Sequence, residues 1–289
     1  MNSIKDWLTF AQEERFAIGA FNVANLETLK AVVNAADKLS APVIIEASPG
    51  ESTFVGIRQL RYLINAYHEE TGLPIFLNLD HSHDVEVTKE SIAVGFDLIH
   101  FDGSEFDLEE NKSALSELVP LAHAHDLVFE GEMDHIQGSS ADHRQESLAE
   151  MVDTSKYTNP EKAAEFVEET GIDIFAAFFG NVHGVYDEAP KLDFDRLREI
   201  REHVSCFLSM HGGSGIADQD VRTAIQVGKI SKVNVNSEMR IAFRETLEHE
   251  LNNTDEIAMY KIMPPVIDAV QKVVEQKIMI FGSEGKAKK

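Results

Sequence analysis

Short apolar runs alternate along the chain with longer segments in which apolar residues recur at every third or fourth position. Such runs suit strands buried on both faces, and the longer period suits amphipathic helices. Residues 17–21 form the first run, ending at Asn22, and Leu26, Leu29, Val32, Val33 and Ala36 mark the helix after it. The unit returns at 42–47, ending at Ser48, with a helix through Leu60, Leu63, Ile64 and Tyr67 that Gly72 stops. It returns at 74–79 before a helix over 85–94, where Gly95 suits a left-handed C-terminal cap. It returns again at 98–101 before a helix over 108–125, and at 128–132. A sixth strand spans 174–179, after a helix that Pro160 opens and Gly171 stops. The seventh spans 207–210, between helices at 194–202 and 218–227, and the eighth spans 232–235. Residues 1–12 read as a leading helix, long helices follow residue 236, and the tail 285–289 reads as frayed.

Eight strand-then-helix units without a linker predict one α/β domain over 1–289. The expected architecture is a single (β/α)8 TIM barrel with an N-terminal helix and extra C-terminal helices. A doubly wound open sheet is the competing arrangement, but it normally uses fewer strands. Residues 133–158 break the periodicity with a polar stretch holding Gly138-Ser139-Ser140. Loops of that length in compact domains are usually lids or binding loops.

In a barrel the C-terminal strand ends meet at one mouth. Those ends carry Asn22, Ser48, Asp80, His81, Asp102, Glu130, Glu132, His183, His211 and Asn234. Imidazoles from strands three, six and seven with an open fourth position make a catalytic zinc site. His83 competes with His81 for the third-strand place. Asp102 and Glu132 either orient the ligands or hold a second, weaker cation. Glu130 reads as a strand residue facing the interior or the helices. His123, His125, His135 and His143 read as solvated. Gly212-Gly213-Ser214-Gly215 after strand seven, with Asn234-Val235-Asn236-Ser237 closing strand eight, suits a phosphate cradle of backbone N–H groups. Zinc to polarise a carbonyl, Asp80 to move a proton and a cradle for phosphate together suit reversible carbon–carbon cleavage of a phosphorylated ketose. A Schiff-base route would need a lysine at a strand end, and Lys232 sits at the start of its strand.

Charge narrows the partners. With 50 acidic against 26 basic residues, a net charge of -24 repels nucleic acid and anionic membranes. One cysteine, Cys206, excludes a disulfide framework and suits a reducing cytoplasm. The first residues lack the pattern of a secretory or transit signal. No apolar run approaches the roughly 20 residues that span a bilayer.

The motifs Leu79-Asp80-His81, Asp102-Gly103-Ser104, Glu130-Gly131-Glu132, Gly180-Asn181-Val182-His183-Gly184, His211-Gly212-Gly213-Ser214-Gly215 and Asn234-Val235-Asn236-Ser237 occur in one order along the chain. In this the chain resembles the class II, zinc-dependent ketose-bisphosphate aldolases, the fructose- and tagatose-bisphosphate aldolase family, from Phe21-Asn22 to Phe281-Gly282-Ser283. The resemblance implies cleavage of fructose 1,6-bisphosphate to dihydroxyacetone phosphate and glyceraldehyde 3-phosphate, with the tagatose isomer or another ketose phosphate as the alternative. It implies zinc on His81, His183 and His211, with Asp80 as the acid/base at the C4 oxygen. Asp102 and Glu132 match the alternative or second metal position. Gly184, Gly212, Gly213, Ser214, Asn234, Val235, Asn236 and Ser237 match the region that contacts dihydroxyacetone phosphate, with Asn234 steadying the enediolate. Ser48 matches a residue near the other end of the substrate. The resemblance also implies a homodimer or homotetramer, and a monovalent cation (Na+ or K+) near the phosphate.

Two places depart from the family pattern. Ser140 stands where the mobile loop carries a glutamate for proton transfer at C3, leaving Asp142 and Glu146 as the nearest carboxylates. Ala258-Met259-Tyr260-Lys261 replaces a segment whose arginine binds the aldehyde's phosphate, so Lys261 alone could serve there. Both open the reading to another ketose phosphate. Asn236 resembles the fructose type, because the tagatose type often has alanine there. A barrel zinc hydrolase built on His81-Ser82-His83 and a non-catalytic sugar-phosphate-binding protein are the rival functions.

Overall fold

In the computed structural model, which describes residues 3–148 and 152–288, parallel strands close into a barrel. The strands in chain order are β1 (Ile18–Asn22), β2 (Val43–Ala47), β3 (Ile75–Ser82), β4 (Leu98–Asp102), β5 (Val128–Glu132), β6 (Gly138–Asp142), β7 (Ile174–Ala176), β8 (His183–Val185), β9 (Phe207–Met210) and β10 (Ile230–Val235). The barrel order is β1-β2-β3-β4-β5-β7-β9-β10, closed by the pairing of β10 with β1, while β6 and β8 pair with each other outside it. Helix α1 (Ile4–Glu14) precedes the barrel. Between strands lie α2 (Leu26–Leu39), α3 (Pro49–Val55), α4 (Ile57–Thr71), α5 (Val85–Val94), α6 (Leu108–His123), α7 (Pro160–Thr170), α8 (Phe194–His203) and α9 (Asp218–Gly228). Helices α10 (Ser237–Asn253) and α11 (Met259–Phe281) follow the last strand.

The expected barrel is therefore present, with local differences. Ser48, read as a strand end near the substrate, also caps α3: its Oγ accepts the Glu51 N–H, and Pro49 occupies the first turn, where a missing N–H costs nothing. The third strand continues past Leu79 through Ser82, whereas the sixth stops at Ala176. The polar stretch contributes β6, held by β8, and residues 149–151 of it lie outside the described part. Within the tail, residues 285–288 are tied down rather than frayed, with the Gly285 and Ala287 N–H groups donating to Leu39 O and Ser40 O at 2.8 and 2.9 Å; Lys289 lies outside the described part.

The two faces of each strand have different jobs. Outward residues such as Leu77, Leu79, Val233 and Val235 join the core beneath the helices. Inward residues form layers. At the bottom, Ile18, Ile44, Phe76, Leu98, Val128 and Ile174 pack with Trp7 and Leu8 of α1, which plugs the barrel. Two residues further along come Glu46, Asn78, His100 and Glu130, with Ser209 and Lys232 at the same level, all fully buried. Two further still come Asn22, Asp80, Asp102, Glu132, His211 and Asn234. The strand period of two thus lifts a ladder of ionisable groups from an apolar floor to the mouth. Among the described residues, no helix is long and apolar enough to cross a membrane.

Candidate active site

Asp80 and His81 are adjacent in sequence, and a regular strand would send them to opposite faces. His81 adopts φ 46°, a left-handed conformation uncommon for a residue with a Cβ. The pairing of β3 with β4 correspondingly skips from Leu79 to Ser82. This break lets both side chains serve the mouth. Asp80 Oδ1 accepts from Asn234 Nδ2 at 3.2 Å, and its Oδ2 accepts from Asn22 Nδ2 at 3.0 Å. Burial alone would raise the Asp80 carboxyl, but His81, His100, His211 and Lys232 outweigh it and hold the group well below the usual carboxylate range.

The rings of His81, His183 and His211 cluster beside Asp80. Ring centroids lie 5.0 Å apart for His81–His183, 4.6 Å for His81–His211 and 6.0 Å for His183–His211. One nitrogen of each ring is already held by an acceptor. His81 Nδ1 meets Asp102 Oδ2 at 2.8 Å, His211 Nε2 meets Glu130 Oε1 at 2.8 Å, and His183 Nδ1 meets Ile136 O at 3.3 Å. Those acceptors fix the protons, so the lone pairs sit on His81 Nε2, His211 Nδ1 and His183 Nε2. His81 Nε2 and His211 Nδ1 face each other at 2.9 Å, a distance that calls for a proton or a cation between them. Burial and the charge of His81 lower His183 to about 4, and burial holds His211 well below its ordinary value, so both rings are neutral near pH 7. Burial opposes charge on His81, but Asp80 and Asp102 outweigh it and raise its value. Three imidazoles, each oriented by a carboxylate or carbonyl and two of them neutral, suit a zinc ion, which takes the place of a proton on the third. Glu132 Oε2, buried without a partner 3.8 Å from His81 Nδ1, fits the same chemistry. His83 lies at the rim instead, where its Nδ1 donates to Asp102 O at 2.7 Å and its side chain is half exposed.

Glu130 proves to be more than a strand residue. Its Oε2 lies 2.8 Å from Lys232 Nζ, which reaches Glu46 Oε1 at the same distance. Burial disfavours the charge on Lys232, yet Glu130, Glu46 and Asp80 raise its value above the ordinary lysine range. Burial and Asp80 push Glu46 up to about 7 despite Lys232. Lys232 sits inside the strand, third in β10, and is locked as an ammonium rather than poised as a nucleophile.

Above this floor a cavity is lined by Asp80, His81, His183, Gly184, Gly212, Ser214, Asn234, Asn236 and Ser237 among others. The sequence-expected cradle is thus assembled, apart from two members. The Val235 side chain joins the core outside the barrel, and Gly213 packs against the β10 backbone. Gly212 has φ 66°, and a Cβ there would stand 2.2 Å from Val182 O, so only glycine lets the turn come this close. Asn236 leads into α10, whose N-terminus at Ser237 faces the cavity with its positive dipole end. The glycine turn is held from behind: Gly215 N donates to Glu238 Oε1 at 2.7 Å, and buried Lys277 Nζ reaches the same oxygen at 2.8 Å.

The outer mouth is lined by Ser48, His83, Asp102, Glu105, His135, Ser140 and Arg240, among others. Arg240 Nη2 pairs with Glu51 Oε1 at 2.7 Å, and its Nη1 donates to Ser140 O at 3.0 Å. Glu51 Oε2 accepts in turn from Asn22 Nδ2 at 3.0 Å, linking Arg240 to the Asp80 network. Lys261 lies elsewhere, on the surface with Glu256 Oε2 at 2.7 Å, because it starts a helix outside the barrel. His143 is not solvated: its ring stacks on Tyr186 with centroids 5.1 Å apart. Sequence reasoning missed His100, Glu46, Glu51, Arg240 and Lys277. Counting back by two from Asp102 and from Ser48 would have found His100 and Glu46; nothing local marks Glu51, Arg240 or Lys277.

The family model for class II fructose-bisphosphate aldolases matches residues 2–286. Among solved structures, the chain is similar to the YdjI aldolase of Escherichia coli K12, at 31% identity over 99% of both chains and a TM-score of 0.85. It is similar to a candidate fructose-1,6-bisphosphate aldolase of Coccidioides immitis, at 31% identity over 99% of this chain and 98% of that one, with a TM-score of 0.85. The Campylobacter jejuni fructose-bisphosphate aldolase shares the fold, with a TM-score of 0.79 and 24% identity over 97% and 94% of the two chains. With one family model spanning the whole barrel, the chain belongs to the class II fructose-bisphosphate aldolase family and is an aldolase.

Proposed function

We propose that this aldolase is zinc-dependent and cleaves fructose 1,6-bisphosphate reversibly to dihydroxyacetone phosphate and glyceraldehyde 3-phosphate. The observation that carries the reading is the facing pair His81 Nε2 and His211 Nδ1, with the ionised Asp80 carboxylate 4.0 Å from His81 Nε2. Zinc held by His81, His183 and His211 would act as a Lewis acid on the ketose carbonyl. The glycine turn and the N-terminus of α10 bind the phosphate at C1. Asp80, oriented by Asn22 and Asn234, takes the proton of the C4 hydroxyl as the C3–C4 bond breaks, and returns it in condensation. Asp102 and Glu132 orient His81 or hold a second cation. Arg240, beside Ser48, meets the phosphate of the aldehyde half.

Lys261 lies away from the mouth, which leaves the distal group to Arg240 and keeps tagatose 1,6-bisphosphate and ketose 1-phosphates in contention. The test is cleavage of a panel of these ketoses by protein stripped of metal and then reloaded with zinc. Zinc-dependent triose phosphate release, fastest from fructose 1,6-bisphosphate, is expected. Hydrolysis products, no turnover, or equal rates without zinc would overturn the reading.

A further inference from the structure

His100 lies two residues before Asp102 on β4, fully buried beneath the mouth, outside both the expected donor set and the substrate cavity. Its Nδ1 accepts the main-chain N–H of His81 at 3.2 Å. That amide belongs to the residue whose φ of 46° breaks the strand. A sparsely populated backbone conformation persists where its surroundings hold it. His100 also packs its ring against the rings of His81 and His211, at centroid distances of 4.5 and 4.7 Å. Its Nε2 lies 3.5 Å from Glu132 Oε2, and neither atom has a hydrogen-bond partner, although Glu132 Oε2 also lies 3.8 Å from His81 Nδ1.

Two roles are open to a buried histidine here, ligand or support. A ligand would offer Nε2 to an ion and carry its proton on Nδ1. Nδ1 instead accepts the His81 N–H at 3.2 Å, its one hydrogen bond, with Asp80 Oδ1 further off at 3.7 Å. With its Nδ1 lone pair directed at the His81 N–H, His100 carries a proton on Nε2, toward Glu132, and that nitrogen has no lone pair to give an ion.

We propose that His100 is a positioning residue for the metal centre. By accepting the His81 amide it keeps His81 in the left-handed conformation that turns its ring toward His211 and His183 while Asp80 stays on the inward face. The inference rests on the reading of His81 as a zinc ligand.

The test uses the full chain with His100→Leu, His100→Gln and His100→Asn. Leucine removes the acceptor. Glutamine reaches past it toward the Nε2 position. Asparagine places an oxygen near the Nδ1 position. Zinc affinity is measured by competition with a chromophoric chelator, cobalt-loaded protein is examined by visible absorption, and the metal-free proteins are melted. Leucine and glutamine are expected to weaken zinc binding about 10- to 100-fold and to alter the cobalt bands, as loss of an outer partner does. Asparagine is expected to restore both to near wild type. A residue that only fills space would lower the melting temperature and leave affinity and spectrum unchanged. The inference is overturned if leucine matches wild type in both, or if asparagine and glutamine bind zinc equally; that second comparison decides even if the leucine variant does not fold. Wild-type protein that binds neither ion overturns the zinc reading, and this inference with it.

Discussion

Glu130 sets which nitrogen His211 presents to the mouth. With Nε2 held 2.8 Å from Glu130 Oε1, His211 has Nδ1 left to face His81. Glu130 also accepts from Ser209 Oγ and pairs with Lys232. Its carboxylate therefore ties the tautomer of a ligand to the buried charge below it.

Glu130→Gln keeps the shape, removes the charge and allows an amide N–H to face His211 Nε2. Zinc affinity should fall about 10- to 100-fold, because outer partners orient and polarise imidazole ligands. Competition with a chelator measures this. Unchanged affinity would mean that the rings are positioned by packing alone.

Asp80→Asn should leave zinc content near wild type and lower the cleavage rate by roughly 10²- to 10⁴-fold, the usual range for a lost general base. Asn22 and Asn234 both donate to Asp80, so an amide there also meets donors where it has a donor of its own. Loss of metal along with the rate would instead place Asp80 in the coordination shell.

Chelation should abolish activity, and added zinc should restore it. Borohydride with substrate should trap nothing. Lys232 is the lysine inside the barrel, and two carboxylates at 2.8 Å keep it an ammonium, which cannot attack a carbonyl. A borohydride-trapped adduct on Lys232 would overturn the assignment.

The order of strands and helices was legible because each barrel strand is a short apolar run and each helix keeps its period, with Gly72, Gly95 and Gly171 ending helices as expected, all three in the left-handed region expected of Gly95. His81, His211 and the glycine turn were legible because strand ends in a barrel share one mouth; His183, read as the end of the sixth strand, instead opens β8 outside the barrel and joins them from there. What lies deeper was hidden by the way the strands were read. An unbroken apolar stretch hides the inward alternation Leu98, His100, Asp102, so a middle residue goes unremarked. Arg240 was invisible for another reason: three residues into α10, it belongs to no strand end, and only the helix turn that follows Ser237 brings it over the mouth. Lys261 looked suitable by its place in the chain, but nothing in sequence shows that α11 begins away from the mouth.

Arg240→Met should raise KM for fructose 1,6-bisphosphate about 10- to 100-fold, the range for losing a charged partner to a phosphate. The KM of a ketose 1-phosphate, which lacks the distal group, should change little. Lys261→Met should leave both unchanged, since its ammonium is engaged by Glu256. If Arg240→Met harms both substrates equally, its contact with Ser140 O or Glu51 matters more than any contact with substrate.

The loop carboxylates are turned from the site. Asp142 takes both Nε and Nη2 of Arg144, at 2.8 and 2.7 Å, and Glu146 pairs with His143 Nδ1 at 2.9 Å. Asp80, Asp102 and Glu105 are the carboxylates lining the outer mouth. Asp102 is engaged by His81 and Ser104, and Asp80 by two asparagines. Glu105 is held by no hydrogen bond or ion pair among the described residues, which makes it the candidate to move the C3 proton of the dihydroxyacetone phosphate proposed above. Glu105→Gln should slow deuterium exchange at that carbon by about tenfold or more, within the range of general-base effects. Asp142→Ala and Glu146→Ala should leave exchange within about twofold, since neither residue reaches the proton in this arrangement. Ser140 lines both the inner cavity and the outer mouth, so Ser140→Glu in the Glu105→Gln background should recover exchange. If both alanine variants slow exchange and Glu105→Gln does not, the loop must reorganise around bound substrate and bring its own carboxylate inward.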